Sequence, residues 1–216
     1  MSLAVMPPPA ALTLRGDALI LDLLQPRALI SSAPHRGGLT QSRYVVNYTV
    51  PKDFSPADVP ASIAARLLGL GLPADQAVAC LTAVSVWDHT QAEACESGIR
   101  CTVFVTAGIG NLSSPGLTPV AAARPGTINI IALLEASLPP AGLVEAVQIV
   151  TEVKARALKG RVTSDGHSAT GTSTDTVTVA LLPGLPATYC GAVTPAGFAL
   201  ASATRIALEA ALEVTQ

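Results

Sequence analysis

The chain has 216 residues, half of them hydrophobic and only 13% charged, with a net charge of −2. That length suits one large domain with a full core. The charge balance, with no basic run and no aromatic stacking motif, excludes a nucleic-acid-binding footprint, and no apolar run reaches the ~18 residues of a membrane span.

Residues 1–10 read as a flexible tail, and residues 11–216 as a single domain. The tail has no basic residue and breaks at Pro7-Pro8-Pro9 before a signal segment could form, which points to a cytoplasmic protein. Residues 13–23 follow the pattern strand, Gly16-Asp17, strand, expected to fold as a hairpin that Pro26 ends. A third strand covers 27–33. In Pro34-His35-Arg36-Gly37-Gly38 the glycines allow close approach to a ligand, so Gly37 and Gly38 are substrate-binding candidates. Residues 44–50 form another strand, stopped by Pro51, and its amide, Asn47, is counted among the same candidates.

Ser55-Pro56-Ala57-Asp58 is a helix-start signature, with Ser55 as the expected cap and the helix running towards Leu68. Residues 77–86 and 100–106 read as strands, while 87–95 carry no clear pattern. Residues 113–125 form a loop of low polarity, suited to a lid or an oligomer contact. The clearest helix opens at Pro139-Pro140 and ends near Lys159-Gly160. At roughly 100° per residue, Leu143, Val147, Val150, Ala157 and Leu158 share one stripe. Lys154 falls inside that stripe, so it must snorkel out or meet an anionic partner. Glu152 falls on the polar side, as an i,i+4 partner for Arg156. Pro183-Gly184-Leu185-Pro186 reads as a tight connection, and a last Ala-rich helix runs from Thr194-Pro195 to Val214. Strands lead helices irregularly, which favours an α+β fold, a single-domain sandwich of a mixed β-sheet with packed helices.

Three buried strands each carry a small polar cluster at one end. Ser168-Ala169-Thr170-Gly171-Thr172-Ser173-Thr174-Asp175 leads into the apolar 177–182. Gly126-Thr127-Ile128-Asn129 leads into 130–134. Val105-Thr106-Ala107-Gly108-Ile109-Gly110-Asn111 ends a strand in reverse order. If these ends converge they line one pocket, with backbone N–H groups, hydroxyls and amides aimed at a small target and with Asp175 placed to act as a base.

Those clusters, with Ser31-Ser32-Ala33, Gly37-Gly38 and Thr151-Glu152 plus Lys154, resemble the adenosylcobinamide amidohydrolases of the CbiZ type. The resemblance runs from about Ser31 to about Leu182. It implies hydrolysis of the amide between aminopropanol and the corrin side chain of adenosylcobinamide, giving adenosylcobyric acid for corrinoid salvage. It implies a site with Asp175, Thr172, Thr174, Lys154 and Glu152 as catalytic candidates. Ser32, Gly37, Gly38, Asn47, Gly108, Asn111, Gly126, Thr127, Asn129, Gly171 and Ser173 would bind substrate. The chain departs from the family before the last helix, where a His-Thr pair is common and Val193-Thr194 stands here.

An unactivated amide needs an activated nucleophile, an oxyanion site and a proton for the leaving amine. Backbone N–H groups around Gly171 and Thr172, or the amides of Asn111 and Asn129, could form the oxyanion site, with Lys154 neutralising charge or donating a proton. Two alternatives remain open: a threonine nucleophile, Thr172 or Thr174, freed by self-cleavage, and a corrinoid-binding protein without turnover. Cys80, Cys95, Cys101 and Cys190 make no zinc-ligand spacing with His35, His89 and His167. They read as core residues or free thiols in a reducing compartment, and the histidines as exposed structural residues. Asp165-Gly166-His167 resembles the start of a cobalt-ligating Asp-x-His-x-x-Gly signature, but Gly171 comes one place late. No metal site is therefore expected, the need for a cofactor is left open, and corrinoid is expected as substrate. Charge this sparse, against roughly 25% in typical soluble proteins, favours a homo-oligomer.

Overall fold

Residues 10–120 and 126–214 are described here in a computed structural model. The rest of the expected tail, residues 1–9, and residues 121–125 of the apolar loop lie outside the described residues. The chain forms ten strands and three helices among the described residues: β1 (Ala11–Arg15), β2 (Ala18–Ser31), β3 (Gly38–Thr49), α1 (Val59–Gly69), β4 (Ala77–Thr82), β5 (Thr90–Glu96), β6 (Ile99–Ala107), β7 (Leu112–Ser113), β8 (Ile128–Ser137), α2 (Pro140–Ala157), β9 (Gly171–Thr172), β10 (Thr176–Pro186) and α3 (Pro195–Val214). Eight strands make one mixed sheet in the order β4-β3-β2-β10-β8-β6-β5, with β1 alongside β2. The pairs β3–β4 and β8–β10 are parallel, the others antiparallel. This is the expected α+β arrangement of a mixed sheet with packed helices.

The sheet turns back on itself at β2. Pro26 does not end that strand, as expected from sequence, but sits in a gap where pairing with β3 breaks between Asp22 and Arg27. A proline has no N–H to give, and at a bulge none is required. Leu24 takes φ +66° there, and its N–H donates to Asp22 Oδ1 at 2.8 Å. The bend splits the sheet into two halves that face each other. Leu19, Leu21, Val45 and Val78 of one half pack against Phe104, Ile131, Leu133 and Ala180 of the other. The alternate residues of β8 and β10, Ile130, Ala132 and Val179, turn outwards to α2 and α3 and meet Val150, Leu200 and Ala203. On the opposite outer face Ile20, Val46 and Tyr48 meet Ile63 and Leu67 of α1. The layers run helix, sheet, sheet, helix. Burial on both faces is why 130–134 and 177–182 read as unbroken apolar runs instead of alternating ones.

Three further elements differ from the sequence reading. Asp58, not Ser55, caps α1, accepting from Ala61 N at 2.9 Å, which leaves Ser55 and Pro56 outside the helix. The unassigned stretch after Trp87 contains β5, which pairs with β6 at the end of the sheet path. The Pro183-Gly184-Leu185-Pro186 segment remains part of β10 past a register shift between Leu182 and Leu185.

Candidate active site

Where β3, β4 and β6 end and β8 and β10 begin, the two halves of the sheet open into a cleft of about 480 Å³. Its polar lining is Ser32, Ser55, Thr82, Gly126, Thr127, Thr174, Asp175 and Thr176. Its apolar lining is Pro34, Val50, Phe54, Pro56, Val59, Leu81 and Ala83. Most of the apolar group was missed from sequence. Leu81 and Ala83 carry no signal beyond that of any strand end, Phe54 was in no predicted element, and Ser55 and Pro56 were absorbed into the helix start.

Asp175 is the node of the site. Its Oδ1 accepts from Ile128 N at 3.0 Å and from Thr172 Oγ1 at 2.5 Å. Its Oδ2 accepts from Thr172 N at 3.0 Å and from Lys154 Nζ. Four donors fill the carboxylate, which has about four lone-pair positions. Lys154 therefore meets the anionic partner that its place on the apolar stripe required, and it reaches Asp175 from α2 with a side chain 11% exposed against 8% for Asp175. Gly171 makes the pair possible: a Cβ there would stand 2.5 Å from Asp175 Oδ2 and 2.9 Å from Lys154 Nζ. Thr172 and Lys154 lie behind the cleft wall, while Thr174 and Asp175 form it.

The two asparagines differ from expectation. Asn47 and Asn129 are 2% and 1% exposed and bind each other in the core between the sheet halves. Asn129 Nδ2 donates to Asn47 Oδ1 and to Leu81 O, both at 2.8 Å. Its Oδ1 accepts from Thr176 Oγ1 at 2.8 Å and from Thr127 Oγ1 at 3.2 Å. Asn47 Nδ2 donates to Thr106 Oγ1 at 2.9 Å. Burial pushes the Cys80 thiol up to about 12, so it stays protonated at neutral pH and donates to Asn47 Oδ1 at 3.4 Å. Neither amide of the pair lines the cleft. They join its walls from behind, because an amide buried at this depth must find partners for every polar atom, and the strand ends supply them.

The remaining candidates divide in the same way. Thr127 lines the cleft, and its Oγ1 also donates to Thr174 O at 2.7 Å. Asn111 donates from Nδ2 to Ser173 Oγ at 2.7 Å. Gly126 takes φ +137°, and a Cβ on it would come within 2.8 Å of Asn111 Oδ1. Gly108 donates its N–H to Thr127 O at 2.9 Å. The three polar strand ends thus gather at one place. Gly37 lies in the exposed loop beyond Pro34 and Gly38 is the exposed first residue of β3, and neither lines the cleft. That loop is anchored by His35, which is buried instead of exposed as expected, with Nε2 3.0 Å from Ala74 O and its backbone bridged to Ala79. Glu152 is exposed on α2 and does not line the cleft.

The Val193-Thr194 pair, where the resemblance implies His-Thr, lies just before α3. Val193 is 98% exposed. It follows Cys190, whose N–H donates to Glu145 Oε2 at 2.6 Å near the start of α2, and Ala187 N–H donates to Ser137 O at the end of β8 away from the cleft. Lys154 lies at the other end of α2.

A family model described as adenosylcobinamide amidohydrolase (CbiZ) matches residues 10–216. The chain is 31% identical over 206 residues to a protein of Halobacterium salinarum named adenosylcobinamide amidohydrolase, covering 90% of this chain and 84% of that one. It is 32% identical over 144 residues to a protein of the same name from Methanosarcina mazei, covering 67% and 64%.

Proposed function

The chain belongs to the adenosylcobinamide amidohydrolase family, and from that premise we propose that its cleft cleaves the amide joining aminopropanol to the corrin side chain of adenosylcobinamide. It is a hydrolase of a linear amide, acting in corrinoid salvage, with adenosylcobyric acid as product. The observation that carries the assignment to this cleft is the Lys154–Asp175–Thr172 cluster, which holds a hydroxyl-rich turn against an open cavity. A corrin ring with its peripheral amides and adenosyl group is larger than 480 Å³. The side chain bearing the scissile amide enters, its carbons against Phe54, Pro56 and Leu81, and the ring rests outside the mouth.

Water adds to the amide carbonyl, the C–N bond breaks, and the amine leaves with a proton. With four donors on it, Asp175 takes a proton only by releasing one. Lys154 and the two backbone N–H groups are fixed by α2 and the strand ends, whereas the Thr172 hydroxyl turns about a single bond. Rotation of that hydroxyl leaves the carboxylate one donor short and so more basic, and Asp175, which itself forms the cleft wall, then acts as general base towards water in the cleft. The Thr174 hydroxyl, which bonds to no described residue, holds the attacking water. The backbone N–H groups of Ser173 and Thr174 likewise bond to no described residue, whereas that of Asp175 closes the turn, and two successive donors of one turn suit a developing oxyanion. Thr172 N is engaged by Asp175 and takes no part. Thr172 as a nucleophile finds no support either, since its hydroxyl lies behind the wall.

Incubation with adenosylcobinamide and chromatography of the products tests the reading: aminopropanol and adenosylcobyric acid should appear together. A corrinoid carrier would retain the substrate and release no amine. We also propose that residues 11–216 act as a single domain, that the protein is cytoplasmic, and that it is a homo-oligomer. Sparse charge and the exposed Tyr189, Val193 and Phe198 around the start of α3 support the last, and sedimentation showing only monomer at micromolar concentration would refute it.

A further inference from the structure

The hydroxyls of the cleft wall are not equivalent, because each has one proton to give and the hydrogen bonds behind the wall decide where it goes. Asn129 sets the order. Both of its amide hydrogens are engaged, by Asn47 Oδ1 and Leu81 O, so its Oδ1 can only accept. The Thr176 hydroxyl must therefore donate to it, and the Thr127 hydroxyl donates to Thr174 O and Asn129 Oδ1. Towards the cleft both threonines offer lone pairs alone. Ser32 is built the opposite way. Its Oγ accepts from Val177 N at 3.0 Å, while its own N–H donates to Val177 O at 3.0 Å. Val177 clamps it from two directions, and no described residue receives the Ser32 hydroxyl proton. Ser32 lines the cleft, and its clamp is two residues from Asp175.

We infer that Ser32 is a catalytic residue: its hydroxyl donates to the carbonyl oxygen of the scissile amide and stabilises the oxyanion formed when water adds. This rests on the amidohydrolase reading of the cleft. Three features carry it. Val177 N takes up a lone pair of Oγ and so turns the O–H bond away from β10. The residue is fixed on a strand end, and a donor held in place before the reaction is the kind that lowers the barrier. The neighbouring Thr127 and Thr176 supply the acceptors that the N–H of the same amide needs, so the wall fits an amide in one orientation, with its oxygen at Ser32 and its N–H at the threonines. Negative charge on the oxygen develops only in the transition state, so the hydroxyl contributes more there than in the bound substrate.

The test is steady-state kinetics of aminopropanol release by the wild type, Ser32→Ala and Ser32→Thr, with a melting curve for each. Loss of one oxyanion donor lowers kcat by ~10²–10³-fold, and KM should stay within about threefold, the pattern of an interaction made in the transition state. Ser32→Thr keeps the hydroxyl and should recover most of the rate. Equal kcat in Ser32→Ala and the wild type overturns the assignment and leaves the amidohydrolase reading intact. A rise in KM at unchanged kcat also overturns it, in favour of simple binding. A fall in kcat matched by Ser32→Thr, or one accompanied by loss of the melting transition, assigns Ser32 to holding β2 on β10 and overturns it as well. An inactive wild type removes the parent reading, and the Ser32 role falls with it.

Discussion

Replacing Lys154 by methionine keeps the apolar stem on the α2 stripe and removes only the charge that faces Asp175. Asp175 then stays buried, its side chain 8% exposed, with three of its four donors. Breaking a buried ion pair from one side costs ~3–5 kcal/mol, and the surviving bonds from Ile128 N, Thr172 N and Thr172 Oγ1 place this case near the lower end, about 3 kcal/mol. In a chain of this size each kcal/mol moves Tm by ~2–4 °C, so Lys154→Met should melt ~6–12 °C below the wild type. Asp175→Asn should cost more, because it leaves the lysine ammonium without an anion and places an NH₂ among donors. The double variant Lys154→Met/Asp175→Asn should be more stable than the sum of the singles by at least ~2 kcal/mol, since the second change removes the charge stranded by the first. Calorimetry on the four proteins reads this directly. A Lys154→Met midpoint within 2 °C of the wild type, or strict additivity, would show that the pair is not buried and coupled as described.

The other outcomes concern the site and the fold. Asp175→Asn should lower kcat at least ~100-fold as loss of a general base; an unchanged rate removes that role. Thr172→Val should keep turnover within ~10-fold, since the Asp175 lone pair is left open to water; complete loss at an unchanged Tm would instead mark the hydroxyl as nucleophile. Gly126→Ala forces a side chain onto φ +137° and against Asn111 Oδ1, so activity should fall well beyond any change in Tm, and an unaffected rate would detach that corner from the cleft. The Arg43 guanidinium bonded to Asp22 holds its carboxyl below the usual range. Stability from that pair is complete above the unfolded carboxyl value of ~3.9 and is lost as pH falls through the lower folded value. Asp22→Asn should thus melt slightly below the wild type at pH 6, the effect being small because solvent screens a pair this exposed, and the gap should close towards pH 3.

How far the sequence reveals this site depends on whether a residue's role is local or distant. Lys154 was legible because a cation on an apolar helical stripe breaks a local pattern, and its partner had to be found nearby. The polar strand ends were legible for a similar reason: hydroxyls and amides beside unbroken apolar runs have few places to go. Asn47 and Asn129 were misplaced because an amide serving a ligand and one tying two sheet halves together look the same in sequence. Only the bend in β2 brings β3 against β8 and makes them partners. That bend was hidden too, since Pro26 reads as a strand stop unless the strand is known to change neighbours there. The apolar half of the cleft was invisible, because Val50, Leu81 and Ala83 read in sequence as ordinary strand-end residues and line a cleft only where the halves part around them.

Val193, where the resemblance implies a histidine, gives a final test of where the chemistry sits. Glu145, which holds the Cys190 loop, and Lys154, which reaches Asp175, are nine positions apart on α2. At about 1.5 Å per residue that is about 13 Å along the helix, beyond any histidine side chain, and Val193 points into solvent. The hydroxyl of Thr194 has a local task, accepting from Gly197 N at 3.2 Å at the start of α3. With its loop held at the far end of α2 and its side chain in solvent, a histidine at 193 is expected to stay outside the cleft of its own subunit, and Val193→His should leave kcat and KM within about twofold of the wild type. A rate gain of tenfold or more would refute this placement. If that gain also grew with protein concentration, the start of α3 would have to complete a neighbouring subunit's cleft.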